Sequence, residues 1–232
     1  MPQRKVIVQR AFELLYTRFA WAYDAVSFVV SRGRWLSWGK AALPFATGPR
    51  VLELGHGPGH LLAELENSGY LPTGIDFSAQ MSQRARQRLG SRGLPVRLIR
   101  GRAQALPFHD GAFDGVVATF PSPYIVEPET ARAIRKVLRP GGRLVVVPEA
   151  VTTGTDLVSR ILEFLFRITG QRTMPADGPP FGPGVWEKVF EPEGFAVTVL
   201  HISQTGSVVL LIVAERLDLI KGGGEGPRGL VQ

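Results

Sequence analysis

The sequence contains no cysteine, which excludes disulfide bonds and thiolate metal sites. It also lacks any run of about eighteen uninterrupted apolar residues, so we expect no transmembrane helix. A secretory signal is not expected either, because Arg10, Glu13 and Arg18 interrupt the stretch after Lys5. The four histidines show no metal-ligand spacing with carboxylates, and we therefore predict no bound metal. These absences favour a cytoplasmic protein.

The positive charge is unevenly distributed. The net charge is +7, and residues 1–50 hold eight lysines and arginines against only Glu13 and Asp24. Aromatic side chains accompany this basic segment, a combination that suits a membrane surface or RNA. The alternative is a pair of helices packed on the core. Because no nucleic-acid motif is visible, we expect no nucleic-acid partner but keep peripheral membrane contact open. The sequence indicates no oligomeric state.

The most informative segment is a βαβ unit between residues 51 and 76. An apolar run, Val51–Leu54, predicts a buried strand and is followed by glycines at positions 55, 57 and 59. A helical pattern follows near 59–67, and a second apolar segment ends in Asp76. Glycines at a strand-to-helix turn allow close approach of a ligand, and a carboxylate at the next strand end can accept ribose hydroxyls. The unit therefore predicts a nucleoside-binding site.

The spacing of the glycines separates two classes of nucleoside site. The dinucleotide fingerprint G-x-G-x-x-G fails, because its sixth position is His60, and this disfavours a nicotinamide-dependent oxidoreductase. The segment reads E-x-G-x-G-x-G from Glu53, and this resembles the first motif of the class I S-adenosylmethionine (SAM) methyltransferases. The resemblance implies that SAM is the cofactor, that the glycine loop faces its methionine part, and that Glu53 anchors the loop or the amino group.

Three further motifs extend this resemblance in the order and spacing of the family. Residues 101–108 resemble its adenine-side loop, 113–118 its fourth strand, and 138–144 its L-[KR]-P-G-G-x-L hairpin. The match covers residues 48–150 well. The cofactor-binding residues that we derive from it are Tyr23, Glu53, Gly55, His56, Gly57, Gly59, Asp76, Phe77, Met81, Arg102, Ala103 and Thr119.

Arg102 departs from the family pattern. The family usually has an acid there, which accepts a bond from the adenine amino group, whereas arginine only donates. Arg102 either stacks on the adenine ring or points to water. The backbone N–H of Ala103 remains available to read the adenine edge. This departure and the absence of an evident base give some support to a non-catalytic SAM-binding regulatory protein as an alternative to an enzyme.

The alternation of strands and helices predicts an α/β, Rossmann-like fold. We expect a seven-stranded, mostly parallel sheet with an antiparallel last strand and helices on both faces. The expected division is an N-terminal helical lid, 1–47, a SAM-binding domain, 48–220, with a substrate-side insertion, 151–190, and a disordered tail, 221–232. Predicted strands are 50–55, 71–75, 95–99, 113–118, 143–148, 195–202 and 207–214, and predicted helices include 59–67, 79–89, 128–138 and 156–169.

The sequence indicates only the general chemical class of the methyl acceptor. The segment after the fourth strand lacks the [DN]-P-P-Y of nucleobase amino methyltransferases, since Pro121 holds its first position. Residues 19–24 and 34–35 resemble the entry helix of the ubiquinone/menaquinone C-methyltransferases. The apolar helix 157–168 either favours a lipophilic acceptor too or packs on the core. Together these features indicate a small or lipid-like acceptor. C-, O- and N-methylation are not distinguished, and no catalytic residue is identified. His56 is either a base or a loop side chain that faces solvent.

Overall fold

The apolar segments form one mixed sheet in the computed structural model, which describes residues 34–152, 181–182 and 184–217. Its first five strands are β1 (Arg50–Leu54), β2 (Leu71–Asp76), β3 (Leu98–Arg100), β4 (Phe113–Thr119) and β5 (Leu138–Val147). The last three are β6 (Ala150–Thr152), β7 (Phe195–Gln204) and β8 (Ser207–Arg216). The helices of the described residues are α1 (Trp35–Lys40), α2 (His60–Asn67), α3 (Ala79–Ser91), α4 (Pro128–Val137) and α5 (Val185–Phe190), with 3₁₀ turns at Leu43–Phe45 and Pro123–Val126.

The strand order is β3-β2-β1-β4-β5-β8-β6, and β7 also pairs with β8. The first five strands in this order are parallel, whereas β8 is antiparallel to β5, β6 and β7. The order reverses between β1 and β4, and a parallel sheet binds its ligand at the carboxyl ends of the strands at such a point. The sheet class and its antiparallel closure are therefore as the sequence predicts.

The described sheet has one strand more than the seven expected, and Pro148 explains it. Strand β5 pairs with β8 as far as Val146 and Ile212, and β6 resumes pairing at Ala150 and Val209. Because proline has no N–H to donate, it interrupts the ladder. The short β6 is thus a second stretch of β5 along the same edge of β8.

Two of the predicted strands begin at other residues than expected. Strand β3 begins at Leu98 rather than residue 95, since Pro95 cannot donate to the ladder. Strand β5 begins at Leu138, which pairs with Phe113, and an irregularity follows before Arg143 pairs with Gly115. The turn of that irregularity contains Gly141, whose φ of 69° favours glycine.

Alternate residues of the central strands pack on opposite faces of the sheet. Leu52, Val116 and Val146 belong to one apolar cluster, which α4 and α5 cover. Val117 and Val145 belong to the other, which α1 and α2 cover. The two layers hold the carboxyl ends of β1, β2 and β4 in fixed positions.

Several predicted segments lie outside the described residues. These are residues 1–33, which include Tyr23, the apolar helix 157–168 and the tail 221–232. Within residues 34–152, 181–182 and 184–217, no helix has the length and hydropathy needed to cross a membrane.

Candidate functional site

The glycine loop joins β1 to α2 at the carboxyl edge of the sheet. Gly55, Gly57 and Gly59 have φ angles of 67°, 50° and 78°, the left-handed region that side chains disfavour. The N–H of Gly55 donates to the carbonyl of Ile75 at 2.8 Å, so the loop continues the pairing of β1 with β2. The chain needs glycine here because the strand must reverse into a helix within a few residues.

The three glycines face different surroundings. A Cβ on Gly55 would lie 2.9 Å from the Tyr124 hydroxyl, and one on Gly59 would lie 2.8 Å from Cβ of Ala85. A Cβ on Gly57 would meet no described atom within 4 Å. Within the described part of the chain, a side chain at Gly57 would therefore meet no neighbour, and a ligand has room to approach the loop there.

Asp76 connects the loop to the end of β2. One carboxylate oxygen accepts the N–H of Gly57 at 2.9 Å, and the other accepts the N–H of Ser78 at 2.7 Å. The side chain is only 4% exposed. Each oxygen retains a second lone-pair direction, so the predicted bonds to ribose hydroxyls stay chemically feasible.

Glu53 lies beneath this loop with an unsatisfied oxygen. The residue is 2% exposed, and its Oε2 has no hydrogen-bond partner among the described residues. Burial and the nearby charge of Asp76 raise the pKa of Glu53 well above its ordinary value, and a hydrogen bond with the Leu62 backbone opposes them only in part. A cationic ligand group beside Oε2 would satisfy the oxygen and stabilise the ionised carboxylate.

His56 is buried rather than facing solvent, which corrects one of the two expectations for its side chain. It is 3% exposed, and a Cβ on Gly74 would lie 2.8 Å from its ring. Nδ1 lies 2.7 Å from the carbonyl oxygen of Gly57, so Nδ1 carries the hydrogen and Nε2 keeps its lone pair. Nε2 has no partner among the described residues. Burial lowers the pKa of His56, although Asp76 and backbone hydrogen bonds oppose this effect.

The adenine side of the predicted site contains a cation–π pair. The guanidinium carbon of Arg102 lies 4.8 Å from the ring centroid of Phe77, which is 59% exposed. Arg102 is exposed to solvent and rests its guanidinium over the Phe77 ring. Ala103 packs against the core, and Met81 is fully buried, with its N–H bonded to the Ser78 hydroxyl that caps α3.

The segment after β4 completes the described part of the site. Thr119 ends β4, and its methyl carbon lies 3.6 Å from where a Cβ on Gly39 of α1 would be. Burial and the charges of Asp76 and Glu53 raise the pKa of Tyr124, so this tyrosine stays neutral. The structure brings together the expected cofactor-binding residues of β1, β2 and the loops that follow them. Tyr23 lies outside the described residues.

Comparisons with known proteins agree with this geometry. Residues 51–142 match the family model described as "Methyltransferase domain". The chain has a class I SAM-dependent methyltransferase domain. Three expectations are confirmed: the resemblance to this class, the Rossmann-like sheet and SAM as the cofactor.

Two curated relatives of the chain are demethylmenaquinone methyltransferases. A demethylmenaquinone methyltransferase from Thermus thermophilus is 37% identical over 139 residues, which are 57% of this chain and 63% of that protein. The demethylmenaquinone methyltransferase of Symbiobacterium thermophilum is 26% identical over 238 residues, covering 88% of this chain and 92% of that protein.

A solved structure also resembles the methyltransferase fold of the chain. It is a protein from Methanococcus maripaludis described as an S-adenosyl-L-methionine-dependent methyltransferase, with a TM-score of 0.63 and 16% identity. The match covers 88% of this chain and 94% of that protein. At this identity the likeness concerns the fold alone.

Proposed function

We propose that this protein transfers a methyl group from SAM to a lipophilic acceptor with a quinone-type ring. The observation that supports donor binding most directly is the arrangement around Gly57. No described atom lies within 4 Å of where a Cβ on Gly57 would be, Asp76 accepts the Gly57 N–H, and the buried Oε2 of Glu53 lacks a partner among the described residues. A cationic nucleoside that carries an amino group matches both carboxylates.

Each donor-site residue has a specific part in the proposal. Glu53 takes the amino group of the methionine part, and Asp76 takes the ribose hydroxyls with the lone pairs that the backbone leaves. Gly55, Gly57 and Gly59 shape the loop, and His56 fills the space beneath it. Phe77 and Arg102 form the adenine side, Ala103 follows Arg102 and packs against the core, and Met81 is buried in the first turn of α3.

Methyl transfer needs alignment more than acid–base chemistry. SAM supplies an electrophilic methyl group on a sulfonium. A bond forms between that methyl carbon and the acceptor as the carbon–sulfur bond breaks, and an acceptor proton is released to solvent where one must leave. Tyr124, kept neutral by its raised pKa, is suited to donate a hydrogen bond rather than to remove a proton.

The proposed acceptor class rests on the relatives. Both curated relatives carry the name demethylmenaquinone methyltransferase. The basic and aromatic residues 1–50 and the apolar segment 157–168 of the sequence agree with a lipophilic acceptor. A substrate screen must distinguish this lipophilic acceptor from a soluble phenol.

Peripheral contact with an anionic membrane belongs to the same proposal. Between Asp76 and Asp110 the chain has seven arginines and no acidic residue. This stretch includes α3 and the edge strand β3, and Arg86, Arg92 and Arg100 are exposed there. Anionic lipid attracts such a surface by about 1 kcal/mol for each arginine near it.

The test is transfer of a radiolabelled methyl group from SAM to chemically reduced demethylmenaquinone, with product identification by mass spectrometry and NMR. We expect a product in which one methyl group replaces a hydrogen, and NMR identifies the methylated atom. SAM binding without transfer to any quinol or phenol would refute the enzymatic proposal and favour the regulatory alternative. Transfer only to a soluble phenol would refute the lipophilic acceptor.

A further inference from the structure

The two outer edges of the described sheet differ in their protection against pairing with another chain. At one edge, β3 is only three residues long, follows Pro95 and Arg97, and ends in Arg100. Short length, proline and positive charge are devices that keep an edge strand from recruiting another strand. At the other edge, the ten residues of β7 include no lysine, arginine, aspartate, glutamate, proline or glycine. Strand β7 therefore has none of the protection that β3 has.

The apolar surface of the sheet stops abruptly at β7. Within residues 34–152, 181–182 and 184–217, β8 is the only strand that pairs with β7, and its register shows no bulge. Val199, in the middle of β7, is 40% exposed, although Ile212 opposite it on β8 is fully buried. On the other face, Leu200 and Ile202 are only half-buried. A further strand beside β7 would cover all three side chains.

The hydrogen bonds to β8 show which backbone groups of β7 point away from it. The N–H of Leu217 donates to the carbonyl of Gly194 at 3.0 Å. Hydrogen-bonded and non-hydrogen-bonded pairs alternate along an antiparallel ladder, so Ala196 and the other even-numbered residues of β7 bond to β8. The N–H and C=O groups of Val197, Val199 and His201 consequently point to the outer edge. These groups are those that a further strand would engage.

We propose that β7 pairs antiparallel with β7 of a second copy of this chain, across a two-fold axis perpendicular to the sheet. Such an axis brings paired residues together with their side chains on the same face. The longest overlap places Val199 opposite Val199 of the partner subunit and Val197 opposite His201 of the partner subunit. In this register the outward groups of each strand meet those of the other and form about ten hydrogen bonds.

The absence of charge from β7 favours a second copy over a different protein as its partner. A two-fold axis brings the central residues of a strand close to their own copies, so any charged side chain near the axis would meet a like charge. Between Phe195 and Gln204 there is no such side chain. The exposed Val199 would instead pack against its own copy, and that contact is favourable for β-branched side chains.

The proposed dimer leaves each donor site complete within one subunit. Strand β7 is antiparallel to β8 and therefore runs in the same direction as β5, β4 and β1. Antiparallel pairing of the two β7 strands then directs the carboxyl edges of the two sheets in opposite directions. The glycine loops of the two subunits do not face each other, so SAM binding should not depend on dimer formation.

The test measures the mass of the full chain by analytical ultracentrifugation over a range of concentrations. We expect the wild type to dimerise, and Val199→Lys to weaken the dimer at least tenfold because two like charges meet at the axis. Val199→Pro should do the same, since it removes an N–H that β8 does not use. Val96→Lys, a change at a 36% exposed valine beside the other edge, should leave the dimer intact. The melting temperature and the Kd for SAM show that each variant is folded.

A cross-linking experiment tests the register. The chain has no cysteine, so Val199→Cys introduces a single thiol. In the proposed register the two Cα atoms at position 199 lie about 5.5 Å apart, which is within the range of a disulfide. Oxidation by oxygen with copper phenanthroline should therefore give a covalent dimer in Val199→Cys but not in Val96→Cys.

Three outcomes overturn the proposal. These are a wild-type chain that stays monomeric up to about 100 µM, a concentration that populates even weak dimers, a dimer that Val199→Lys leaves unchanged, and a monomer in which the amides of Val197, Val199 and His201 exchange slowly with deuterium. The last outcome would mean that a segment of the same chain covers the edge. The proposed function is judged separately, because monomeric Val199→Lys should still bind SAM and transfer its methyl group.

Discussion

The carboxylate of Asp76 accepts the N–H of Gly57 at 2.9 Å, so the residue predicted to bind ribose also holds the glycine loop. Its second oxygen accepts the N–H of Ser78, the residue that caps α3. One buried side chain therefore joins β2, the loop and the start of a helix. Changes at Asp76 will act on ligand binding and loop geometry together.

Asp76→Ala should weaken SAM binding at least tenfold. Hydrogen bonds to a charged group are worth about 1.5–3 kcal/mol, and the variant loses those proposed to ribose as well as the bond that orders the loop. Isothermal titration calorimetry with SAM measures the effect. Asp76→Asn is the matched control, since its single carbonyl oxygen keeps part of the acceptor function and should give an intermediate loss. Unchanged affinity in Asp76→Ala would remove Asp76 from the donor site.

Gly57 and Gly59 should respond differently to substitution. Gly57→Val should abolish SAM binding, because its side chain enters the open space that the donor needs. Gly59→Ala should mainly destabilise the fold, since its Cβ would lie 2.8 Å from Cβ of Ala85. Both substitutions place a side chain on a left-handed backbone, which costs about 1–2 kcal/mol of stability. Thermal unfolding must therefore be measured together with calorimetry. Normal SAM affinity in Gly57→Val would show that the loop does not cradle the donor.

Binding of SAM should depend on pH through Glu53. The pKa of the buried Glu53 is raised in the free protein, and an ammonium group beside it would lower that pKa, so binding releases a proton. Affinity should therefore rise with pH up to the pKa of the free protein and then level off. Calorimetry between about pH 5 and 7, where an α-amino group stays charged, measures this dependence.

Glu53→Gln should remove that dependence and weaken binding at neutral pH. Glu64→Gln, a change at a glutamate that pairs with Lys40, should keep it. The free energy of unfolding should change with pH in the opposite direction to SAM affinity. Because folding raises the pKa of the Glu53 carboxyl, the free energy of unfolding falls as pH rises from 4.5 towards the pKa in the folded protein. Glu53→Gln should therefore be relatively more stable than the wild type at neutral pH. A pH-independent SAM affinity in the wild type would contradict the proposed role of Glu53.

Arg102→Ala should weaken SAM binding modestly, by about two- to fivefold. An exposed cation–π contact is worth about 0.5–1 kcal/mol, and the stacked guanidinium is expected to support the adenine side. Arg86→Ala removes the same charge from an exposed position on α3 and serves as the control. Equal effects of the two substitutions would mean that only net charge matters at Arg102.

Attachment to anionic vesicles should weaken with salt. Co-sedimentation with vesicles that contain phosphatidylglycerol should exceed that with neutral vesicles, and about 0.5 M salt should abolish the difference, because screening is then almost complete within a few ångströms. Protein that stays in the supernatant under all conditions would favour a soluble acceptor.

Deleting residues 1–30 should lower SAM affinity, since the corresponding segment of the resembled family covers the donor. Full SAM affinity in the truncated chain would make the N-terminal segment a scaffold only.

The sequence predicts the parts of this site that arise from local chain chemistry. The run Val51–Leu54 and the glycine at 55 identify a strand and its turn, because apolar periodicity and left-handed backbone have direct sequence signals. Asp76 is predictable as the acid at the next strand end. These residues form the βαβ unit, whose geometry depends on contacts between neighbours in the chain.

The remaining features depend on contacts between distant segments. The left-handed Phe120 has no sequence signal, because phenylalanine rarely adopts that conformation and its bond to Val147 joins segments distant in the chain. The pairing of Arg102 with Phe77 joins two loops, and the burial of His56 depends on Gly74 leaving room for its ring. Such packing is decided by tertiary structure, which single-sequence patterns do not encode.

The last described strand, β8, is the only partner of β5 on the side away from β4 within the part of the chain that the structure describes. On the ribosome, the glycine loop, Asp76 and the adenine-side loop are all synthesised well before Ser207. A nascent chain that has not reached β8 therefore exposes an unpaired edge of β5, which bears the apolar residues Val145 and Val147. Unpaired edges of this kind recruit other chains. Pausing of translation before residue 207 should accordingly favour aggregation or chaperone capture of a chain whose glycine loop and strands β1 to β5 have already been made.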